Sequence, residues 1–176
     1  MKNLSFLPIV LAAAACAQQP ASAPDPGLKT VIQVAIACRN IEATSKHWAA
    51  VLGVEPPKIR LTRPGREVHV VYRGRPSNGQ IKMAIIRLGQ VSLELMEPVG
   101  SDTSWREFLD AKGEGVQHIA FGVTDLEKTV KRFESLGMPV LHQGRYDSDN
   151  GTYTYVDSQR ALGVTVELLH SDAKKQ

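Results

Sequence analysis

The chain is built on a repeat, and no other feature limits its folding as tightly. Displacing the first half by about 85 residues lays Gln33 on His118, Ala35 on Ala120, Glu42 on Glu127, Thr44 on Thr129, Lys46 on Lys131 and Trp48 on Phe133. Further on, LGQVSLELM (residues 88–96) lies over LGVTVELL (residues 162–169) with one residue inserted, which sets Glu94 on Glu167. A single half cannot bury both faces of its own sheet, so pairing the two is the economical solution.

Within each half the order reads strand, helix, then further strands. Residues 116–123, with β-branched and aromatic residues bounded by glycine on one side and Thr124-Asp125 on the other, predict a strand. A helix follows, with Thr124 as N-cap and Glu127 completing a capping box; Leu126, Val130 and Phe133 share one face, and Gly137 with Pro139 stops it. In the first half a strand over 28–38 leads to a helix capped by Asn40 and stopped by Gly53, then to strand candidates at 59–61, 69–72, 81–88 and 91–96. Arg63-Pro64-Gly65 and residues 75–79 read as turns. Residues 102–112 form a connector helix, with Ser104 and Glu107 spaced as a second capping box. The second half closes with strands at 140–142, 153–156 and 163–169, with the hairpin signal Asn150-Gly151 before the second of these.

The first 27 residues stand apart from this pattern. Lys2 gives a positive start, residues 4–15 are apolar but too short to span a bilayer, and Ala13-Ala14-Ala15 supplies small residues for cleavage. Residues 1–15 are therefore expected to be an export signal and 16–27 a tether. Cys16 after the alanines resembles the lipidated cysteine of a bacterial lipoprotein, which would place the domain (28–172) at the periplasmic face of a membrane; release into the periplasm is the alternative. Cys38 then has no intrachain partner and is read as a small apolar residue. The net charge of +3 comes without a basic run, which argues against nucleic acid as a partner and leaves the lipid on Cys16 as the link to a membrane.

Gln33, Glu94, His118 and Glu167 each sit centrally in an otherwise apolar strand, at one of two repeat-related positions. A carboxylate buried without compensation costs several kcal/mol, so two of them call for a cation, a proton or water. Two carboxylates, an imidazole and an amide suit one divalent metal such as Zn, Ni, Co, Mn or Fe. His47, His69, His142 and His170 fall outside the repeated positions and are not expected to bind it. Arg60, Arg66, Arg73, Arg75 and Arg87 cluster in the first half; exposed arginines are the default reading, an anionic substrate the alternative.

GEGVQHIAFGVTDLE, the ELMEP after LGQVSL and the terminal LGVTVELL resemble the vicinal oxygen chelate superfamily, over roughly residues 28–170. The resemblance implies an α+β fold of two paired βαβββ modules, one over about 28–98 and one over about 113–170. Their curved mixed sheets would surround a metal-binding cavity with one ligand from each of four strands: Gln33, Glu94, His118 and Glu167. Glutamine at the first position argues against an extradiol dioxygenase. The Gln/Glu/His/Glu set matches glyoxalase I of the eukaryotic type, whereas SWREFLDAKGEGVQHIAF looks closer to the methylmalonyl-CoA epimerase branch. The activity implied is proton transfer beside a carbonyl of a small metal-chelating substrate, of lyase or isomerase type, with Glu167 and Glu94 as candidate bases. Its competitors are a non-catalytic binder of the bleomycin-resistance type and a metal-stabilised scaffold. A homodimer is compatible with either activity.

Overall fold

The computed structural model describes residues 27–172. In chain order the elements are β1 (Val31–Ala37), α1 (Ile41–Leu52), β2 (Arg60–Leu61), a 3-10 turn (Gly65–Val68), β3 (Val71–Tyr72), β4 (Arg75–Pro76), β5 (Gln80–Leu88), β6 (Val91–Val99), α2 (Ser104–Lys112), β7 (Gly115–Gly122), α3 (Leu126–Ser135), β8 (Val140–Arg145), β9 (Gly151–Val156), α4 (Gln159–Leu162) and β10 (Thr165–Ser171). The expected signal at 1–15, Cys16 and the tether up to residue 26 lie outside the described residues. Among those described, no helix is long and apolar enough to cross a membrane.

All ten strands join one curled mixed sheet in the order β2-β5-β6-β1-β7-β10-β9-β8-β3-β4. The repeat is visible in it: β1-β6-β5-β2 and β7-β10-β9-β8 are the same four-strand arrangement, joined back to back through the antiparallel pair β1/β7. This is the α+β fold of paired βαβββ modules.

Strand alternation divides each module into two faces. On one face of module one, Leu93, Leu95, Ala84 and Ile86 pack with Cys38 and with Ile41 of α1. Module two repeats this with Val156, Val166 and Leu168 against Phe133 of α3. The opposite, concave face holds Ala35, Ile81, Met83, Met96 and Tyr155, plugged at one end by Trp105 of α2. Each buried Leu, Ile or Phe in these layers contributes about 1.5–3 kcal/mol.

Local signals hold at α1, where Asn40 accepts from Ala43 N at 2.9 Å and Gly53 takes a left-handed φ of 67°. They shift by one residue elsewhere. Asp125, not Thr124, caps α3, accepting from Lys128 N at 3.0 Å, and Glu127 pairs with Lys131 instead of closing a box. Thr103, not Ser104, caps α2, accepting from Arg106 N at 3.1 Å; the Ser104 hydroxyl is taken by His142 and Glu107 by Arg73.

The larger departure is the segment between β2 and β5. Residues 69–72 were expected to be a strand of module one, yet Val71 and Tyr72 pair with Gln143 and His142 of β8, at the far edge of module two. The chain crosses the open side of the curled sheet to get there, through a 3-10 turn that ends on His69 with φ 54°. It returns through β4, which the sequence presents as a turn; Pro76 is tolerated there because β4 is the edge strand. The crossing is tightly packed at both ends. A Cβ on Gly65 would lie 2.6 Å from Ser77 O, and one on Gly79 would run into the Thr103 side chain.

Candidate functional site

The four central strands β6, β1, β7 and β10 bring together the four polar residues of the repeat. In register, Ala35 lies between Glu94 and His118, and Ala120 lies between Gln33 and Glu167. All six residues share the concave face, and both alanines are 0% exposed, so two methyl groups form a floor between four polar side chains. The pairing is symmetric under the repeat, which exchanges Ala35 with Ala120, Glu94 with Glu167 and His118 with Gln33.

The polar ends converge on one point. His118 Nε2 stands 3.1 Å from Glu167 Oε2 and 3.7 Å from Glu94 Oε2. Gln33 Nε2 is 3.3 Å from His118 Nε2, 3.5 Å from Glu167 Oε2 and in hydrogen-bond contact with Glu94. Glu94, His118 and Glu167 are all buried, at 5%, 0% and 3% exposure. On the far side of the ring, His118 Nδ1 meets the Oε1 of the buried Gln117 at 2.6 Å. That amide oxygen accepts the Nδ1 hydrogen, so in the neutral ring the Nε2 lone pair faces the three other residues.

Ligands about 2.0–2.2 Å from one zinc-like ion stand about 2.9–3.6 Å from one another; His118–Glu167 at 3.1 Å lies within that range, while His118–Glu94 at 3.7 Å and the short Gln33–Glu94 contact would have to readjust around an ion. Among the described residues, no three His, Cys, Asp or Glu side chains form a cage by themselves. The amide of Gln33 occupies the gap, donating to both carboxylates in one orientation and offering its oxygen to the same point when rotated.

A cavity of about 640 Å³ opens above this cluster. Ile81, Met83 and Ile85 form one wall and Trp105, Tyr153 and Tyr155 another, with Val68 and Val70 of the crossing segment over it. Tyr155 is opposite Glu167 in register, its ring edge-on to His118 at 4.9 Å, and its hydroxyl accepts from Trp105 Nε1 at 3.2 Å. Of the arginines clustered in the first half, Arg60 and Arg87 line the cavity whereas Arg66, Arg73 and Arg75 do not; Arg63 and Arg145 join them.

His47, His69 and His170 stay away from the four-residue cluster. His142, next to Tyr155 in register, is fully buried among Tyr72, Trp105, Tyr153 and Tyr155, with Nδ1 on the Ser104 hydroxyl at 2.8 Å. Sequence reasoning missed Gln117, the alanine floor and the aromatic wall. The repeat match of Ala35 with Ala120 was the one signal that could have found the floor.

Three buried groups set the pH response of the metal-free domain. Burial raises the Glu94 carboxyl to about 7, with the charge of His118 pulling the other way. Burial also works against a charged His118, but the charge and hydrogen bond of Glu167 and the charge of Glu94 hold its pKa above the ordinary value. His142 is pushed down to about 3 by burial and by the charge of His118. A raised pKa stabilises the fold at low pH: the Glu94 contribution is complete below about 4.5 and lost as pH rises to about 7, and that of His118 is lost above about 6.5. A depressed histidine pKa has the opposite sign, so the contribution of His142 is present above 6.5 and lost as pH falls toward 3. Thermal unfolding of the metal-free domain is therefore expected to show maximal stability near pH 5–6, with about 1–3 kcal/mol lost by pH 8. His142→Phe should soften only the acid limb. Stability that rises steadily from pH 5 to 8 would contradict a protonated Glu94.

Comparison with known proteins gives four similarities. The profile of the Glyoxalase/Bleomycin resistance protein/Dioxygenase superfamily matches residues 32–156. Among solved structures, the methylmalonyl-CoA epimerase of Mycobacterium tuberculosis is 20% identical, with a TM-score of 0.60 over 89% of this chain and 95% of its own, a likeness of fold alone. A variant of the Streptomyces coelicolor methylmalonyl-CoA epimerase, solved with 2-nitronate-propionyl-CoA, is 27% identical, with a TM-score of 0.59 over 83% of this chain and 99% of its own. The uncharacterized protein YqjC of Bacillus subtilis strain 168 is 29% identical over 90 residues, and the chain spans 64% of that relative's length.

Proposed function

This chain belongs to the Glyoxalase/Bleomycin resistance protein/Dioxygenase superfamily, and on that premise we propose that it is a metal-dependent enzyme that moves a proton next to a carbonyl of a small molecule. The observation behind the proposal is the convergence of Gln33, Glu94, His118 and Glu167, two of them carboxylates, on one buried point at the base of a cavity. These four residues are the proposed holders of one divalent ion. When bound, such an ion supplies Lewis-acid polarisation of a substrate oxygen.

The chain's own groups do the rest. Gln117 keeps the proton of neutral His118 on Nδ1, so that Nε2 is free as a donor and His118 takes no proton from the substrate. Glu167 and Glu94 approach from opposite sides of the floor, and either carboxylate can take the α-proton and return it. The aromatic and aliphatic walls exclude water from the anion formed.

The Streptomyces similarity favours epimerase-type chemistry, while the residues themselves depart from the pattern expected of epimerases, with Gln33 first and Glu94 second. Isomerase and glyoxalase-type lyase therefore share the same first step in this site, removal of a proton beside a carbonyl. The test is solvent deuterium exchange into a panel of α-hydroxy ketones and keto acids, with and without added divalent metal. Metal-dependent exchange is expected. Tight binding of a panel member with no exchange would replace this reading by that of a sequestering protein.

A further inference from the structure

Four arginines line the cavity, and three have their counter-charge built in. Arg60 Nη1 lies 2.5 Å from Asp147 Oδ2, and Arg63 donates its backbone N–H to the same carboxylate at 3.2 Å and its guanidinium to Glu67 at 3.4 Å. Arg145 is held by Asp149 at 3.0 Å and Asp172 at 2.6 Å. The guanidinium of Arg87, the fourth, makes no hydrogen bond or ion pair with any described residue.

Strand register fixes where Arg87 stands relative to the polar cluster. This residue shares the concave side of β5 with Ile85 and Met83, and Ile85 is opposite Glu94 in register. Arg87 is itself opposite Ser92, which is opposite Gln33, so two strand spacings, about 10 Å, separate the Arg87 and Gln33 backbones. Between the unpaired guanidinium and the cluster the strand face carries Ser92 and the aliphatic Ile85. A molecule complementary to this strip has oxygens at one end, a short carbon body and one negative charge at the other end.

Building on the reading that the ligand's vicinal oxygens sit at Gln33, Glu94, His118 and Glu167, we propose that the substrate class is a small free monocarboxylic acid whose carboxylate is bound by Arg87. A single planar guanidinium matches a single carboxylate in bidentate geometry. A polyphosphate-bearing thioester would instead bring several negative charges to a rim where Asp147, Glu67, Asp149 and Asp172 already neutralise the other arginines, and like charges there oppose it. Arg87 is thus a specificity-determining residue that separates free acids from acyl-coenzyme A molecules.

The test uses 5-hydroxy-4-oxopentanoate, which has a hydroxy-ketone head and a carboxylate tail, its neutral methyl ester, and propionyl-CoA. Binding of each to the zinc-loaded full chain is measured by calorimetry, and exchange of the C5 protons of the first two is followed in deuterium oxide. The acid is expected to bind about 10- to 100-fold more tightly than the ester. Arg87→Gln should erase that preference and Arg87→Lys should restore part of it. Equal binding of acid and ester, a preference that survives Arg87→Gln, tighter binding of propionyl-CoA, or binding of none of the three would each overturn the proposal. The two readings fail separately: an Arg87-dependent acid preference without proton exchange removes the catalytic reading and keeps this one, whereas exchange of acid and ester alike with no preference does the reverse.

Discussion

Glu167→Gln is expected to lower metal-dependent proton exchange by about 100- to 10,000-fold, the range associated with a positioned general base. The substitution keeps the shape of the side chain and leaves an amide oxygen facing His118, so the fold and part of the metal affinity should persist while proton acceptance is lost. His118→Ala should act differently. It removes the one nitrogen donor, opens a void in a fully buried position and is expected to leave the protein without metal at micromolar concentrations. Metal content of the purified variants and deuterium exchange separate the two effects. Full metal occupancy in both variants would sink the proposal that these residues are ligands. Normal exchange in metal-loaded Glu167→Gln, coupled with its loss in Glu94→Gln, would move the base to the opposite carboxylate.

An equally large effect is expected from the floor. Ala120→Leu places three more carbons between Gln33 and Glu167 on a face where the methyl group is 0% exposed. Overpacking of this kind costs about 1–3 kcal/mol, and it separates residues whose polar ends now meet within 3.5 Å. Ala35→Leu should do the same between Glu94 and His118. Both variants are expected to unfold at lower temperature and to lose metal binding, whereas Ala120→Gly should lose some stability and keep the metal. A folded Ala120→Leu protein that binds metal as the parent does would show that the alanines are ordinary core residues.

Much of this was legible because the repeat made it so. One histidine in an apolar strand carries little information, but the repeat match of Gln33 with His118 and of Glu94 with Glu167 marked four strands as equivalent in pairs, and those four are adjacent in the middle of the sheet. The alanines were visible as matched letters and mute as a floor, because which residues flank a small side chain is decided by register between strands far apart in sequence. Gln117 was hidden for a different reason: it is next to His118 in a strand, where neighbours nominally face opposite ways, and its side chain reaches back to the ring. The shifted caps at Thr103 and Asp125 reflect runs of adjacent cap-forming residues, Asp102-Thr103-Ser104 and Thr124-Asp125, in which any one could have started the helix. The crossing segment gave no signal of its destination, since a two-residue strand has no periodicity and its partner lies some seventy residues away.

That crossing has a consequence for how a ligand gets in. The pairing of β3 with β8 consists of two residue pairs, against nine between β5 and β6, so it is among the least costly parts of the sheet to open. Val68 and Val70 sit over the cavity on the same segment, and releasing β3 from β8 would lift them while the four central strands stay zipped. A ligand admitted by this route would need only a brief local unzipping near the sheet's edge, and the polar cluster would keep its geometry meanwhile.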